Sequence, residues 1–172
     1  MIKKVCFIVI FAVICLLAVS YLSNICSRDR NKIMIQAYAG EQVVLKEVFA
    51  QAASFEPVKT TGKVIYYKAL DSYGRFLGVV FKTSARGYSG EIETLTGMYK
   101  DGTIIAIKIL KQNETLGLGS RISEQSFIRQ FSNKKDLSGV QAVTGATTSS
   151  RAVIDSVQAR AREIMVLIKG EI

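Results

Sequence analysis

The fold of this chain is decided by residues 91–110, which read EIETLTGMYKDGTIIAIKIL. Apolar and polar residues alternate in residues 91–99. Lys100-Asp101-Gly102 is a turn signal typical of β-hairpins, and the β-rich run at 103–110 returns after it. A second pair of β-rich runs lies upstream, GKVIYYKAL at 62–70 and RFLGVVFKTS at 75–84, separated by turn residues 71–74. The sequence therefore predicts two consecutive hairpins in an antiparallel sheet.

Helical patterns flank the predicted strands. Before them, residues 31–55 carry apolar residues at helical spacing, and Gly40 interrupts the pattern, which predicts a juxtamembrane helix, a break and a second helix. After them, residues 123–131 predict a short helix capped by Ser123, and residues 151–169 predict an amphipathic closing helix. This order indicates an α+β domain, an antiparallel sheet with flanking helices, covered on one face.

An apolar segment of membrane-spanning length lies near the amino terminus. Residues 5–22 read VCFIVIFAVICLLAVSYL, and residues 5–27 contain no charge. Eighteen residues at about 1.5 Å each extend about 27 Å, close to the thickness of a hydrocarbon core. A cleaved signal peptide would have a shorter apolar region that ends in small residues. The expected organisation is an N-terminal membrane anchor at 1–27, a juxtamembrane helical segment at 28–56 and a folded domain at 57–172.

Composition excludes several classes of function. The 172 residues contain no His, which excludes His-based catalytic triads and zinc sites that combine Cys with His. The three cysteines, Cys6, Cys15 and Cys26, lie in or beside the apolar segment, which argues against an iron–sulfur cluster. The net charge is +9 for the chain, but from Ile33 onward it is +5, from 18 basic and 13 acidic residues that alternate along the chain, so no nucleic-acid partner is predicted. No metal site is predicted either.

The most unusual segment is TGATTSS, residues 144–150, directly before the closing helix. One interpretation is a turn at Gly145 followed by a Ser or Thr cap for the helix. The other is an anion site, because a helix start offers free N–H groups and a partial positive charge, and the hydroxyls add further donors.

Two glycine-containing loops complete the set of motifs. In ETLGLGS, residues 114–120, two glycines allow a backbone to approach a flat ligand, but Ile122 occupies the third glycine position of a dinucleotide fingerprint. The other loop is GYSGE, residues 87–91. Each loop is also compatible with an ordinary connection between elements.

Together these motifs resemble the FMN-binding domain family. The order GYSGEI (87–92), a hairpin, NETLGLG (113–119) and AVTGATTSSRAV (142–153) matches that family, and the resemblance extends over roughly residues 1–165. Within the family, the pattern resembles the G subunits of Rnf ion-translocating electron-transport complexes. It is more distantly similar to the C subunits of sodium-pumping NADH:quinone reductases.

The resemblance implies a covalent cofactor. In the family, FMN is joined by a phosphoester to the Thr that ends the [S/T]-G-A-T motif, here Thr147, by a Mg²⁺-dependent flavin transferase that uses FAD. Leu116 and Leu118 would form apolar walls for the isoalloxazine, and no residue of the chain is expected to be catalytic by itself. The implied cofactor-binding residues are Thr144, Gly145, Ala146, Thr147, Thr148, Glu114, Thr115, Leu116, Gly117, Leu118 and Gly119.

The resemblance also implies a function and a location. The chain would be the electron-carrier subunit of a ferredoxin:NAD oxidoreductase complex of the Rnf type, with other membrane and iron–sulfur subunits, a flavin transferase and membrane lipid as partners. It would cross the cytoplasmic (inner) membrane once, with its folded domain on the extracytoplasmic side. The alternative is a membrane-anchored extracytoplasmic flavoprotein that acts as a sensory or regulatory module or as a stand-alone electron carrier.

The chain departs from the family pattern at three positions. Gln141 stands where the family usually has Asp, Leu116 stands where it usually has Pro, and Gln112 stands where it usually has His. The position of Gln141 matters most, because the acidic residue belongs to the pattern that the flavin transferase reads.

Overall fold

A computed structural model describes residues 40–170 of the chain. No helix in this described part is long and apolar enough to cross a bilayer. The predicted membrane-spanning segment, residues 5–22, lies outside the described residues, as do the three cysteines. The predicted division at residues 27 and 56 stays a prediction, and residues from Gln42 onward form one compact unit.

A five-stranded antiparallel sheet forms the centre of this unit, and each strand pairs with the next one in sequence. The strands are β1 (Ser54–Thr60), β2 (Lys63–Leu70), β3 (Phe76–Arg86), β4 (Glu91–Tyr99) and β5 (Ile104–Lys111). Both predicted hairpins, β2–β3 and β4–β5, are confirmed. Between them, β3 and β4 pair without interruption from Gly78↔Tyr99 to Arg86↔Glu91, which joins the two hairpins into one sheet.

Strand β1 was not predicted, because the sequence pattern indicated helical structure as far as residue 55. Its sequence, SFEPVKT, includes Pro57 and lacks the regular alternation that marks a strand. The position of β1 at the sheet edge, beside β2, explains how this sequence can be a strand. Proline has no N–H to donate to a ladder and is tolerated on edge strands.

The two predicted helices after the sheet lie near their predicted positions, whereas the helix predicted to reach residue 55 ends at residue 48. The observed helices are α1 (residues 40–48), α2 (Gln125–Ile128) and α3 (Thr147–Ile168), with 3-10 turns at Gly119–Ser123 and Arg129–Phe131. The predicted short helix at 123–131 is therefore one α-turn between two 3-10 turns. The predicted Ser123 cap is wrong, because Ser123 ends the first 3-10 turn and the extended residue Glu124 takes the cap position, without a side-chain hydrogen bond.

Helix α3 covers one face of the sheet. Its predicted apolar face is confirmed, since every member of that face is buried: Val153, Val157, Ala161, Ile164 and Ile168. Near the start of the helix, this face packs against Phe127 and Phe131, and towards its end it packs against strand residues such as Val79 and Phe81. The two phenylalanine rings of Phe127 and Phe131 meet edge to face, with centroids 5.3 Å apart.

The opposite face of the sheet is covered by α1, contrary to the expectation of one covered face. Leu45 and Phe49 pack there against Val80 and Leu95. Because alternate strand residues point to opposite faces, Val79 contributes to the core under α3 and Val80 to the core under α1. The unbroken apolar run in β3 is the sequence signal for burial on both faces.

The turn between β1 and β2 contains a residue in an unfavourable backbone conformation. Thr61 has a φ of 51° and Gly62 a φ of 81°, the combination found in type I′ hairpin turns. Glycine adopts positive φ readily, whereas a β-branched residue such as threonine does so at a cost. Asparagine is one of the residues that tolerate this conformation at the first central position.

We expect Thr61→Asn to raise the free energy of unfolding by about 1 kcal/mol, because it relieves this backbone strain. Urea denaturation of the full-length chain measures the effect. Thr60→Asn is the matched control: the same substitution one residue earlier, in extended β1, should give no gain because Asn is a poorer strand residue than Thr. Equal stability of the Thr61→Asn variant and the unmodified protein would contradict this expectation.

Candidate functional site

Three segments that are distant in sequence meet around one cavity. They are the turn at 87–90 between β3 and β4, the loop at 113–119 after β5, and the start of α3 at 145–149. The cavity has a volume of about 370 Å³. It is lined by Tyr88, Glu114, Thr115, Leu118, Gly119, Gly145, Ala146, Thr147, Thr148 and Ser149. The three motifs that stand out in the sequence therefore form a single site.

The Glu114 side chain joins these segments. It is only 7% exposed, and its Oε2 accepts a hydrogen bond from the Ser149 hydroxyl at 2.6 Å. Its Oε1 accepts hydrogen bonds from the main-chain N–H groups of Ser89 and Gly90, each at 3.1 Å. Burial of a charge is unfavourable unless hydrogen bonds compensate for the lost water, and these three donors do so. Glu114 thus ties its own loop to both other segments.

Opposing effects act on the pKa of Glu114. Burial raises this pKa, whereas hydrogen bonds from Ser149, Gly90 and Ser89 lower it. The hydrogen bonds prevail together, so the pKa lies below its ordinary value of 4.5. The side chain is therefore ionised at neutral pH and accepts all three hydrogen bonds as a carboxylate.

Gly119 leaves room for the Glu114 carboxylate, and Gly145 allows the turn into α3. A Cβ atom at Gly119 would lie 2.6 Å from Oε2 of Glu114 and 2.7 Å from its Cβ, so any other residue would displace the carboxylate. Gly145 has a φ of 82°, a left-handed conformation that directs the chain into α3. The predicted turn at Gly145 is confirmed.

Helix α3 begins at Thr147 without a side-chain cap. Its N-cap residue is Ala146, so the predicted Ser or Thr cap is wrong. The first hydrogen bond of the helix is donated by the Ser150 N–H to the Ala146 carbonyl at 2.8 Å. The N–H groups of Thr147, Thr148 and Ser149 precede this bond, and such groups carry partial positive charge at a helix start. The helix start retains the properties of an anion site.

Apolar side chains also border the cavity. Leu118 is 52% exposed and Tyr88 is 76% exposed, and both line it. Leu116 is 88% exposed on the same loop but does not line the cavity. The site therefore combines hydrogen-bond donors at the helix start with an apolar border, as an amphiphilic ligand requires.

The structure brings most of the predicted binding residues together. Among them, Thr144, Leu116 and Gly117 do not line the cavity, and the others do. Tyr88 was not predicted as a site residue. The signal for Tyr88 was an aromatic residue within the GYSGE motif. The hydroxyl of Ser149 was expected to be a donor for an anion, whereas in the structure it donates to Glu114.

Comparison with known proteins gives consistent matches. Residues 87–161 match the model of the FMN-binding domain. The chain is 37% identical over 134 residues to the G subunit of the ion-translocating oxidoreductase complex of Methanosarcina acetivorans, covering 67% of this chain and 70% of that protein. It is 32% identical over 143 residues to the G subunit of the Na⁺-translocating ferredoxin:NAD⁺ oxidoreductase complex of Acetobacterium woodii, covering 67% and 69% respectively.

A solved structure shares the fold. It is the crystal structure of the C subunit of the Na⁺-translocating NADH-quinone reductase from Parabacteroides distasonis. The TM-score is 0.50 at 21% sequence identity, and the alignment covers 59% of this chain and 61% of that one. The antiparallel sheet with flanking helices is thus a fold already observed in crystals.

We expect Glu114→Gln to lower the free energy of unfolding by about 2 kcal/mol at pH 7, because an amide cannot accept all three hydrogen bonds. Folding lowers the pKa of Glu114. The carboxylate therefore stabilises the folded protein at any pH above its ordinary pKa, and this stabilisation is lost as the pH falls through the lower pKa of the folded state. Urea denaturation at pH 7 and at pH 3 should therefore show a smaller difference between the two proteins in acid.

The control for this experiment is Glu56→Gln, which changes an exposed carboxylate on β1. This variant should differ little from the unmodified protein at either pH. A difference between Glu114→Gln and the unmodified protein that grows in acid would contradict the assigned role of Glu114.

Proposed function

The chain belongs to the FMN-binding domain family, and on this basis we propose that it is the electron-carrier subunit of an Rnf-type ferredoxin:NAD oxidoreductase complex. In this proposal the chain holds FMN covalently through a phosphoester to Thr147. The observation that supports it most directly is the cavity at the start of α3, where an exposed threonine lies beside uncapped N–H groups and an apolar border.

The chemistry of the cavity fits FMN. The flavin has a flat, largely apolar ring system at one end and a phosphate at the other. Leu118 and Tyr88 offer apolar surface for the first, and the N–H groups at the start of α3 offer donors for the second. The cavity volume of about 370 Å³ also lies in the range of about 300–1,000 Å³ that is usual for sites of small ligands.

The hydroxyl groups of the site differ in their availability. The Ser149 hydroxyl is buried and donates to Glu114, and the Ser150 hydroxyl accepts a hydrogen bond from the Val143 N–H at 3.0 Å. Thr147 and Thr148 are exposed and line the cavity. Thr115 is also exposed and lines the cavity, but its hydroxyl is paired with that of Ser89 at 3.2 Å. Thr147 and Thr148 are therefore the candidate acceptors at the helix start, and the family motif favours Thr147.

The proposed attachment is a phosphoryl transfer. The Oγ atom of Thr147 forms a bond to the phosphorus of the FMN half of FAD, the pyrophosphate bond breaks, AMP leaves, and the hydroxyl proton is released. A Mg²⁺-dependent flavin transferase supplies catalysis. The N–H groups of Thr148 and Ser149 would stabilise the negative charge of the resulting diester.

When bound, FMN supplies one-electron redox chemistry, and the chain supplies binding and position. The hydrogen bonds of Glu114 hold the three segments of the site together. A single membrane span cannot form an ion path, so ion translocation belongs to the partner subunits. We propose that these partners are the membrane and iron–sulfur subunits of the complex, and that membrane lipid surrounds the anchor.

The proposed linkage predicts that Thr147→Ala abolishes covalent flavin. After coexpression with a flavin transferase, the denatured unmodified protein should fluoresce in a gel, and its Thr147 peptide should carry the mass of FMN less one water. Thr147→Ser should retain the label because it keeps the hydroxyl. Thr148→Ala is the neighbouring control and should also retain it. Flavin that persists in Thr147→Ala, attached to Thr148, would show that the assigned acceptor is wrong.

The proposed topology predicts that an external protease cleaves the folded domain in intact spheroplasts, because the domain lies on the extracytoplasmic side. Immunoblotting with an antibody against the carboxyl terminus detects the loss of full-length chain. A cytoplasmic protein of the same cells serves as the control for intact membranes. Protection of the domain until lysis would place it in the cytoplasm and overturn the topology.

A further inference from the structure

The main chain of residues 141–147, here called the acceptor segment, is held by side chains from other elements. Gln130, in the 3-10 turn Arg129–Phe131, contacts the main chain of Gln141. The Ser150 hydroxyl accepts a hydrogen bond from the Val143 N–H at 3.0 Å. Further along, Nη1 of Arg121 donates to the Thr144 carbonyl at 3.3 Å. This segment outside the sheet therefore has a fixed path that ends at Thr147.

Gln130 makes the most specific of these contacts. Its Oε1 accepts a hydrogen bond from the Gln141 N–H at 2.8 Å, and its Nε2 donates to the Gln141 carbonyl at 3.3 Å. One carboxamide thus pairs with both main-chain groups of one residue, as a neighbouring strand would do. The half-buried Gln130 takes the place of a strand partner for an exposed residue.

This pairing is not required to stabilise a buried group. Gln141 is exposed, so its main-chain N–H and C=O could bond to water instead. The buried residues Val140 and Ala146 already fix both ends of the intervening stretch in the core. The Gln130 pairing therefore orders the exposed main chain that leads to Thr147.

We propose that Gln130 is a positioning residue for flavinylation, which keeps the acceptor segment in the conformation that the flavin transferase binds. This inference rests on the proposed function, because it takes Thr147 as the acceptor. A transferase that binds an already ordered acceptor segment does not lose free energy in ordering it. Its apparent affinity for the chain therefore rises in proportion to the fraction of chains whose acceptor segment is in the conformation that the transferase binds. The Gln130 pairing raises that population before the transferase arrives.

The chain contains a matched control for this role. Gln158 on α3 is also half-buried and also pairs its carboxamide with main-chain groups. Its Oε1 accepts a hydrogen bond from the Leu137 N–H at 2.7 Å, and its Nε2 donates to the Lys135 carbonyl at 3.4 Å. Gln158 thus fixes a loop that precedes the acceptor segment and contains none of its residues. Gln158→Met removes two such hydrogen bonds. Gln130→Met removes its two hydrogen bonds to the acceptor segment and a third, from Nε2 to the Ser126 carbonyl at 3.4 Å in the adjoining α2. Both variants preserve the approximate shape of the side chain.

The test measures flavin transfer to the full-length chain with a purified flavin transferase, FAD and Mg²⁺, at increasing concentrations of the chain. Gln130→Met should raise the KM for the chain about tenfold, from the loss of its two hydrogen bonds to the acceptor segment, with little change in kcat. Gln158→Met should leave both constants within about twofold of the unmodified protein. Gln130→Glu keeps the acceptor for the Gln141 N–H and should give a smaller rise, which provides a second variant if Gln130→Met does not fold.

The outcomes separate the two proposals. No covalent flavin on the unmodified chain, or transfer to Thr147→Ala, would overturn the proposed function. Normal transfer to the unmodified chain, together with equal KM values for the Gln130 and Gln158 variants, would overturn the role of Gln130 alone. A lower kcat at an unchanged KM would overturn it too, because a segment ordered before docking affects KM.

Discussion

The buried carboxylate of Glu114 is the interaction on which the site depends. It lies in the loop after β5, and its three donors come from the β3–β4 turn and from α3. A second link, between the hydroxyls of Ser89 and Thr115 at 3.2 Å, joins only two of the segments, whereas Glu114 joins all three. The carboxylate makes them into one cavity, and Gly119 is required because any side chain at that position would displace it.

The carboxylate can join all three segments because the sheet keeps the ends of those segments in place. β3 and β4 are buried under both α1 and α3, so the turn that joins them has a rigid base. The apolar face of α3 runs the length of the helix and fixes its start relative to β4 and β5. Loops that carry binding groups on such a scaffold can be ordered by a few hydrogen bonds.

The sequence predicted the parts of the structure that depend on local pattern. Alternation and turn residues located β2 to β5, and helical spacing located the buried face of α3. Strand β1 was missed because Pro57 and its charged neighbours obscure alternation, and only its pairing with β2 makes it a strand. The role of Glu114 was also beyond local pattern, since its partners Ser89 and Ser149 lie 25 and 35 residues away. The motifs identified the segments of the site but did not show which side chain connects them.

The charge of Glu114 also bears on the proposed covalent link to FMN. A phosphate monoester carries a charge of about −1.5 to −2 at neutral pH, whereas a diester carries a single negative charge. Glu114 and Thr147 line the same cavity, and the hydroxyl of Ser149 is already committed to the carboxylate. A free phosphate there would face a like charge with only the N–H groups of α3 and the threonine hydroxyls to offset it. In the proposed attachment, an ester with Thr147 would lower the negative charge of the phosphate to about −1 and so weaken its repulsion by the Glu114 carboxylate.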